Sequence, residues 1–97
     1  MSFKHIILPV DKSLNDYAYE VCDIFRERGQ YCVVDDDDVG INKKIDNCDN
    51  QNFDYILIIN RTSKEINYAN VRETKSQKLL GNMHITDFLH NLFCDKL

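Results

Sequence analysis

The sequence predicts an α/β protein, a three-layer α/β/α sandwich around a small mixed sheet. Three observations lead there. Apolar runs and helical stripes alternate as β-α-β-α-β over the first sixty residues, an order that implies parallel strands joined by right-handed crossovers. After residue 60 the pattern becomes strand-like alternation with no helical stripe, the mark of antiparallel pairing. A final amphipathic stripe then closes the chain with a third helix.

HIILPV, residues 5–10, is a continuous apolar run, as expected of a strand covered on both sheet faces. Ser13 with Asp16 forms an approximate capping box for a helix beginning near Leu14. Leu14, Tyr17, Ala18, Val21 and Phe25 make its buried stripe, and Gly29 supplies its stop. QYCVVD, residues 30–35, reads as the second strand. Asp35 to Asp38 and Gly40 then lead into a second helix, whose apolar face is Ile41, Ile45 and Cys48. YILII, residues 55–59, is the most apolar stretch and is expected at the centre of the sheet. EINYANV alternates, ETKSQ breaks, and KLLG forms a short last strand, so the segment reads as a hairpin. Ile85, Phe88, Leu89, Leu92 and Phe93 give the closing helix. With no repeat, linker or low-complexity tract, residues 1–97 are expected to form a single domain.

No apolar run approaches the ~20 residues that a membrane span needs. The segment MSFKHIILPV lacks a signal-peptide pattern, so a cytoplasmic address is expected. Cys22, Cys32, Cys48 and Cys94 are widely spaced, without a CxxC or a zinc-like Cys/His pair. Three of them fall on apolar faces, which predicts reduced core thiols. The net charge of −4 argues against a generic polyanion binder. It is unevenly spread: residues 35–54 balance to −5, and residues 61–81 to +3.

Several residues carry recognisable chemistry. Arg72, in an alternating strand, has a guanidinium that can fork to a base edge or a phosphate. The plainer alternative is a surface arginine paired with Glu73 or Glu65. Asn42, Lys43 and Lys44 open the second helix, where free amides and lysines attract phosphate; a solvated helix face reads the same way. The four aspartates admit two readings. A metal or phosphoacceptor site would need acids from several strand ends, and here only Asp11 joins them, Asn60 ending the central strand. Alternatively, Asp37 or Asp38 caps the second helix while the others are solvated. No acid–base pair, nucleophile arrangement or Gly-rich phosphate loop is present, so no catalytic residue, metal site or cofactor is expected in the chain.

The segments ILPVDKSLNDYAYEV, FRERGQYCVVDDDD, INKKIDN, FDYILIIN and NVRETKSQKLLG, in this order and spacing, resemble the anticodon-binding domain of class IIa aminoacyl-tRNA synthetases. Within that family they are most similar to the C-terminal domain of eukaryotic-type threonyl-tRNA synthetases. The resemblance runs from Ile6 to Phe93 and implies a five-stranded sheet in order 2-1-3-4-5, strand 4 antiparallel to the rest, with three helices. It implies that the partner is the anticodon loop of tRNA(Thr), faced by Arg72. Asp38, Asn42, Lys43, Lys44, Asn52, Ser63 and Lys64 are the further expected contacts, Asp38 as an acceptor for the donor edge of guanine. Lys75 and Lys78 extend the basic hairpin. ATP and magnesium would belong to an upstream catalytic domain of the same polypeptide, and the isolated domain is expected to be monomeric. The chain departs from the family in having Asn60 for the usual Gly, Asp46 for Arg or Lys and Ser63 for Glu. Its hairpin after Arg72 is one residue longer. Those departures leave a rival reading, a synthetase-derived protein-interaction module without RNA binding.

Overall fold

The structure, a computed structural model, describes residues 3–48, 51–61, 67–74 and 78–93. Its elements are β1 (Lys4–Pro9), a 3-10 turn (Lys12–Leu14), α1 (Asn15–Glu27), β2 (Tyr31–Val34), α2 (Ile41–Cys48), β3 (Tyr55–Ile59), β4 (Tyr68–Glu73), β5 (Lys78–His84) and α3 (Ile85–Phe93). The sheet order is β2-β1-β3-β4-β5. β1 runs parallel to β2 and β3, and β4 runs antiparallel to β3 and β5. This is the expected architecture, with the central strand YILII where the sequence put it.

Strand alternation sends the side chains to two different layers. On one face, Ile7, Leu57, Ile59, Ala69 and Val71 pack with Tyr17, Val21 and Phe25 of α1 and with Ile85, Phe88 and Leu89 of α3. On the other, Ile6, Leu8 and Ile56 pack with Cys48 of α2, bordered by Val33, Ile41, Ile45 and Ile58. Among the described residues, two helices therefore cover the first face, and the eight-residue α2 serves the second.

Within the first layer lies a buried imidazole. His5 is 0% exposed, stacked on Tyr55 at 5.4 Å and met edge-on by Phe25 at 4.8 Å and Phe88 at 5.9 Å. Its Nδ1 lies 3.1 Å from the carbonyl of Tyr31, and Nε2 has no partner among the described residues. A ring with one donor satisfied and one bare acceptor is neutral. Burial depresses its pKa to about 4, against the smaller raising effects of the Tyr31 carbonyl and the Asp54 carboxylate.

Three local expectations are corrected. α1 does not begin with a Ser13–Asp16 box. Instead the Asp11 carboxylate accepts from the Ser13 amide at 2.9 Å and from the Ser13 hydroxyl, capping the 3-10 turn that leads into α1. Neither Asp37 nor Asp38 caps α2. The Gly40 carbonyl takes the first helical bond, from the Lys44 amide at 3.2 Å, while the Asp35 carboxylate folds back onto the Asp37 amide and Asp36 accepts from the Tyr19 hydroxyl at 2.5 Å. The last strand also runs on past KLLG to His84. Gly81 holds a φ of +89°, beside a register shift that leaves Leu80 unmatched between the Val71–Gly81 and Arg72–Leu79 pairs. A glycine bulge of this kind bends a strand and lets it continue.

The β2 edge is short and partly covered. Asp35 donates its amide to Ile7, so the odd-numbered residues of β2 bond β1 and Cys32 turns its carbonyl outward. That carbonyl accepts from Arg26 Nε and from Cys22 Sγ, each at 3.2 Å. Cys22, Cys32 and Cys48 are buried free thiols, and burial pushes the Cys32 thiol up. Cys94 lies outside the described residues.

Candidate nucleic-acid interface

α2 packs on residues of β1 and β3, so on its side no described helix covers β4 and β5. Ala69 and Val71 are buried toward α1 and α3, which turns Tyr68, Asn70 and Arg72 to the open side. Strand register then sets them in three rungs, Tyr68 with His84, Asn70 with Asn82, and Arg72 with Leu79. The Tyr68 and His84 rings meet edge to face at 5.5 Å. Arg72 and Asn82 are exposed, and Leu79 is 57% exposed. Flat rings, amides and one guanidinium on a half-open sheet are what unstacked bases need, since they are bound by stacking and by their edges.

Arg72, opposite Ile56 of β3 and Leu79 of β5, makes no ion pair or hydrogen bond with any described residue. None of its five donors meets an acceptor among the described residues. His84 Nδ1 accepts from the Thr86 amide at 3.3 Å, which ties the aromatic rung to the first turn of α3.

The other expected contacts are scattered. Lys44 is corrected outright. It is 1% exposed, and its ammonium donates to the carbonyls of Pro9 and Asp35, both at 3.0 Å. Lys44 therefore clamps α2 to the C-terminal ends of β1 and β2 and offers nothing to a phosphate. The signal was in the spacing: positions 41, 44, 45 and 48 form one helical face. Asn42 and Lys43 are exposed at the start of α2, and Asp38 is exposed in the loop before it. Asn47 lines a surface cavity of about 420 Å³ with Ile6, Val33 and Asp35 to Asp37, on the β2 side of α2. Helical spacing then sets Asn42 and Asp46 on the opposite flank, toward β4. Asn52 is exposed at the far end, beside Lys4 and Tyr31 around a hollow of about 220 Å³. Ser63, Lys64 and Lys75 lie outside the described residues.

At the end of β3, Arg61 stands 3.9 Å from the Asp11 carboxylate, both well exposed. The bond from Ser13 holds the Asp11 carboxyl below its usual range, with lesser help from Arg61 and Lys44. Among the described residues, no group of three His, Cys, Asp or Glu side chains could hold a metal. None of their helices is long and apolar enough to cross a membrane.

Residues 4–93 match the family model of the anticodon binding domain. The chain belongs to this family. It is 31% identical over 84 residues to a probable cytoplasmic threonine–tRNA ligase 1 of Dictyostelium discoideum, which covers 87% of this chain and 12% of that protein. It is 32% identical over 88 residues to the cytoplasmic threonine–tRNA ligase 2 of Homo sapiens, covering 90% of this chain and 11% of the relative. The chain thus spans about an eighth of the length of these curated relatives. In fold it is similar to the RNA-binding domain of threonyl-tRNA synthetase from Cryptosporidium parvum, with a TM-score of 0.88 at 18% identity, over 95% of this chain and 23% of that one. For an anticodon-binding domain, the face of β4 and β5 with an arginine unengaged among the described residues is the natural candidate surface. The Asn70–Asn82 and Tyr68–His84 rungs were missed in the sequence, where only the alternation in EINYANV pointed to an outward face.

Proposed function

We propose that the chain recognises the anticodon loop of tRNA(Thr), as the C-terminal domain of a cytoplasmic threonyl-tRNA synthetase. Aminoacylation would take place on a catalytic domain of the same polypeptide, which would hold ATP and magnesium. The observation that carries this reading is the open half-face of β4 and β5, with Arg72 unengaged among the described residues. Its guanidinium forks to a base with two neighbouring acceptors, and Tyr68 and His84 give a neighbouring base a surface to stack on. Asn42 and the start of α2 supply phosphate contacts on the adjoining flank, and Lys43, on the Asn47 side of the same first turn, adds charge nearby. Affinity is modest, because acidic Asp46 is exposed on the flank of α2 that helical spacing turns toward β4.

The test is an NMR titration of the chain with a threonine anticodon stem-loop and a scrambled loop at low salt. Shifts centred on β4 and β5 with the first loop alone support the reading, and Arg72→Ala weakens that binding roughly 5- to 150-fold, from ~1–3 kcal/mol for a forked base contact. Equal binding of both loops would overturn anticodon recognition, and no binding at all would transfer the chain to the protein-interaction reading.

A further inference from the structure

Between the arginine rung and the aromatic rung lies a feature that the arginine does not account for. Asn70 and Asn82 face each other across β4 and β5. Asn70 Oδ1 is shut off from solvent with no hydrogen-bond partner among the described residues. Asn82 is exposed, and its amide likewise bonds no described residue. Native chains seldom leave a covered amide oxygen unmet, because the group loses water and gains nothing. The penalty is relieved when a ligand brings a donor, since the amide torsion χ2 is soft and turns readily.

We infer that Asn70 and Asn82 select one base of the bound loop by its edge, next to the base held by Arg72. This rests on the anticodon-loop reading and adds to it the division of the surface. Each amide offers a donor beside an acceptor, the complement of a base edge that also mixes the two, as adenine does with N6 and N7. The guanidinium rung has donors only and suits an edge with two acceptors, such as guanine O6 and N7. Rungs two residues apart along a strand stand ~6.7 Å from one another, so two unstacked bases can lie side by side without sharing a contact. Tyr68 and His84 then flank the amide-bound base on its other side. Two rungs of unlike chemistry thus read two positions of unlike base.

The experiment measures binding of wild type, Asn70→Ala, Asn82→Ala and Arg72→Ala to the parent stem-loop and to loops substituted at each anticodon position in turn. Thermal melts of the proteins accompany it. Wild type is expected to discriminate at two positions by roughly tenfold or more. Asn70→Ala and Asn82→Ala lose the discrimination at one position and keep the other, and Arg72→Ala does the reverse. Asn70→Ala melts no lower than wild type, because it removes an unmet oxygen. If both asparagine variants keep every ratio while Arg72→Ala changes one, or weaken all loops alike, base selection by the amides is overturned and the anticodon reading stands. If wild type binds no loop, both fall together.

Discussion

The imidazole of His5 provides a quantitative test of the core. Its folded pKa of about 4 lies well below the ordinary value of 6.5. Above pH 6.5 the ring is neutral in both states, and the contribution to stability is complete. Between pH 6.5 and 4 the unfolded chain takes a proton that the folded chain refuses, so stability falls with pH. Below about 4 both states are protonated and the loss is finished. The gap of about 2.5 corresponds to a loss of about 3 kcal/mol across that window. For a chain of this size that is a large part of a net stability of roughly 5–10 kcal/mol. Urea titrations from pH 7.5 to 4.5 measure the fall. His5→Phe supplies the control: it keeps a ring against Tyr55, Phe25 and Phe88 and gives up only the bond to Tyr31 and the proton. The variant is expected to lose about 1 kcal/mol at pH 7 and to show a shallower decline below 6.5. A C2 proton assigned to His5 that titrates near 6.5 in the folded chain, or a His5→Phe variant with an undiminished acid slope, would refute the reasoning.

Lys44→Met strands the carbonyls of Pro9 and Asp35, so denaturant unfolding is expected to show a loss on the order of 3 kcal/mol; loop affinity measured on the folded fraction stays unchanged, because Lys44 reaches no ligand. Gly81→Ala forces a side chain into positive φ where space is open around it, at a cost of about 1 kcal/mol or more seen in the melting temperature. Asp46→Lys replaces an acid beside the open face with a base and is expected to tighten stem-loop binding, with a steeper salt dependence by ~1–1.5 for the two charges changed. That is read from affinities at several salt concentrations, and an unchanged slope would mean the flank of α2 does not border the RNA.

The layered sheet was legible in the sequence because its signals are local. YILII and HIILPV are too apolar for anything but covered strands, and the stripes on α1 and α3 leave one buried side each. What escaped depended on how far a helix extends. Lys44 beside Lys43 reads as a wet pair until the helical face at 41, 44, 45 and 48 is set against two strand ends. Asn70 and Asn82 went unremarked, Asn82 lying beyond the expected strand KLLG, and they gain meaning only once the register pairs them on the side where α2 packs on β1 and β3. The end of KLLG was misjudged because Gly81 followed by Asn82 looks like a breaker, whereas the glycine bends the strand without ending it. The capping aspartates were misplaced for a related reason: Asp35 and Asp36 found bonds within their own loop and to Tyr19, leaving Gly40 to start the helix.

An open five-stranded sheet has two rims along which a second polypeptide could zip. Here the outward carbonyl of Cys32 is occupied by Arg26 and Cys22, and the opposite rim is kinked at Gly81. Lateral growth into fibrils or swapped assemblies meets a blocked docking atom on one side and a broken register on the other. Concentrated preparations should therefore stay dispersed, and Arg26→Ala exposes the weaker of the two safeguards.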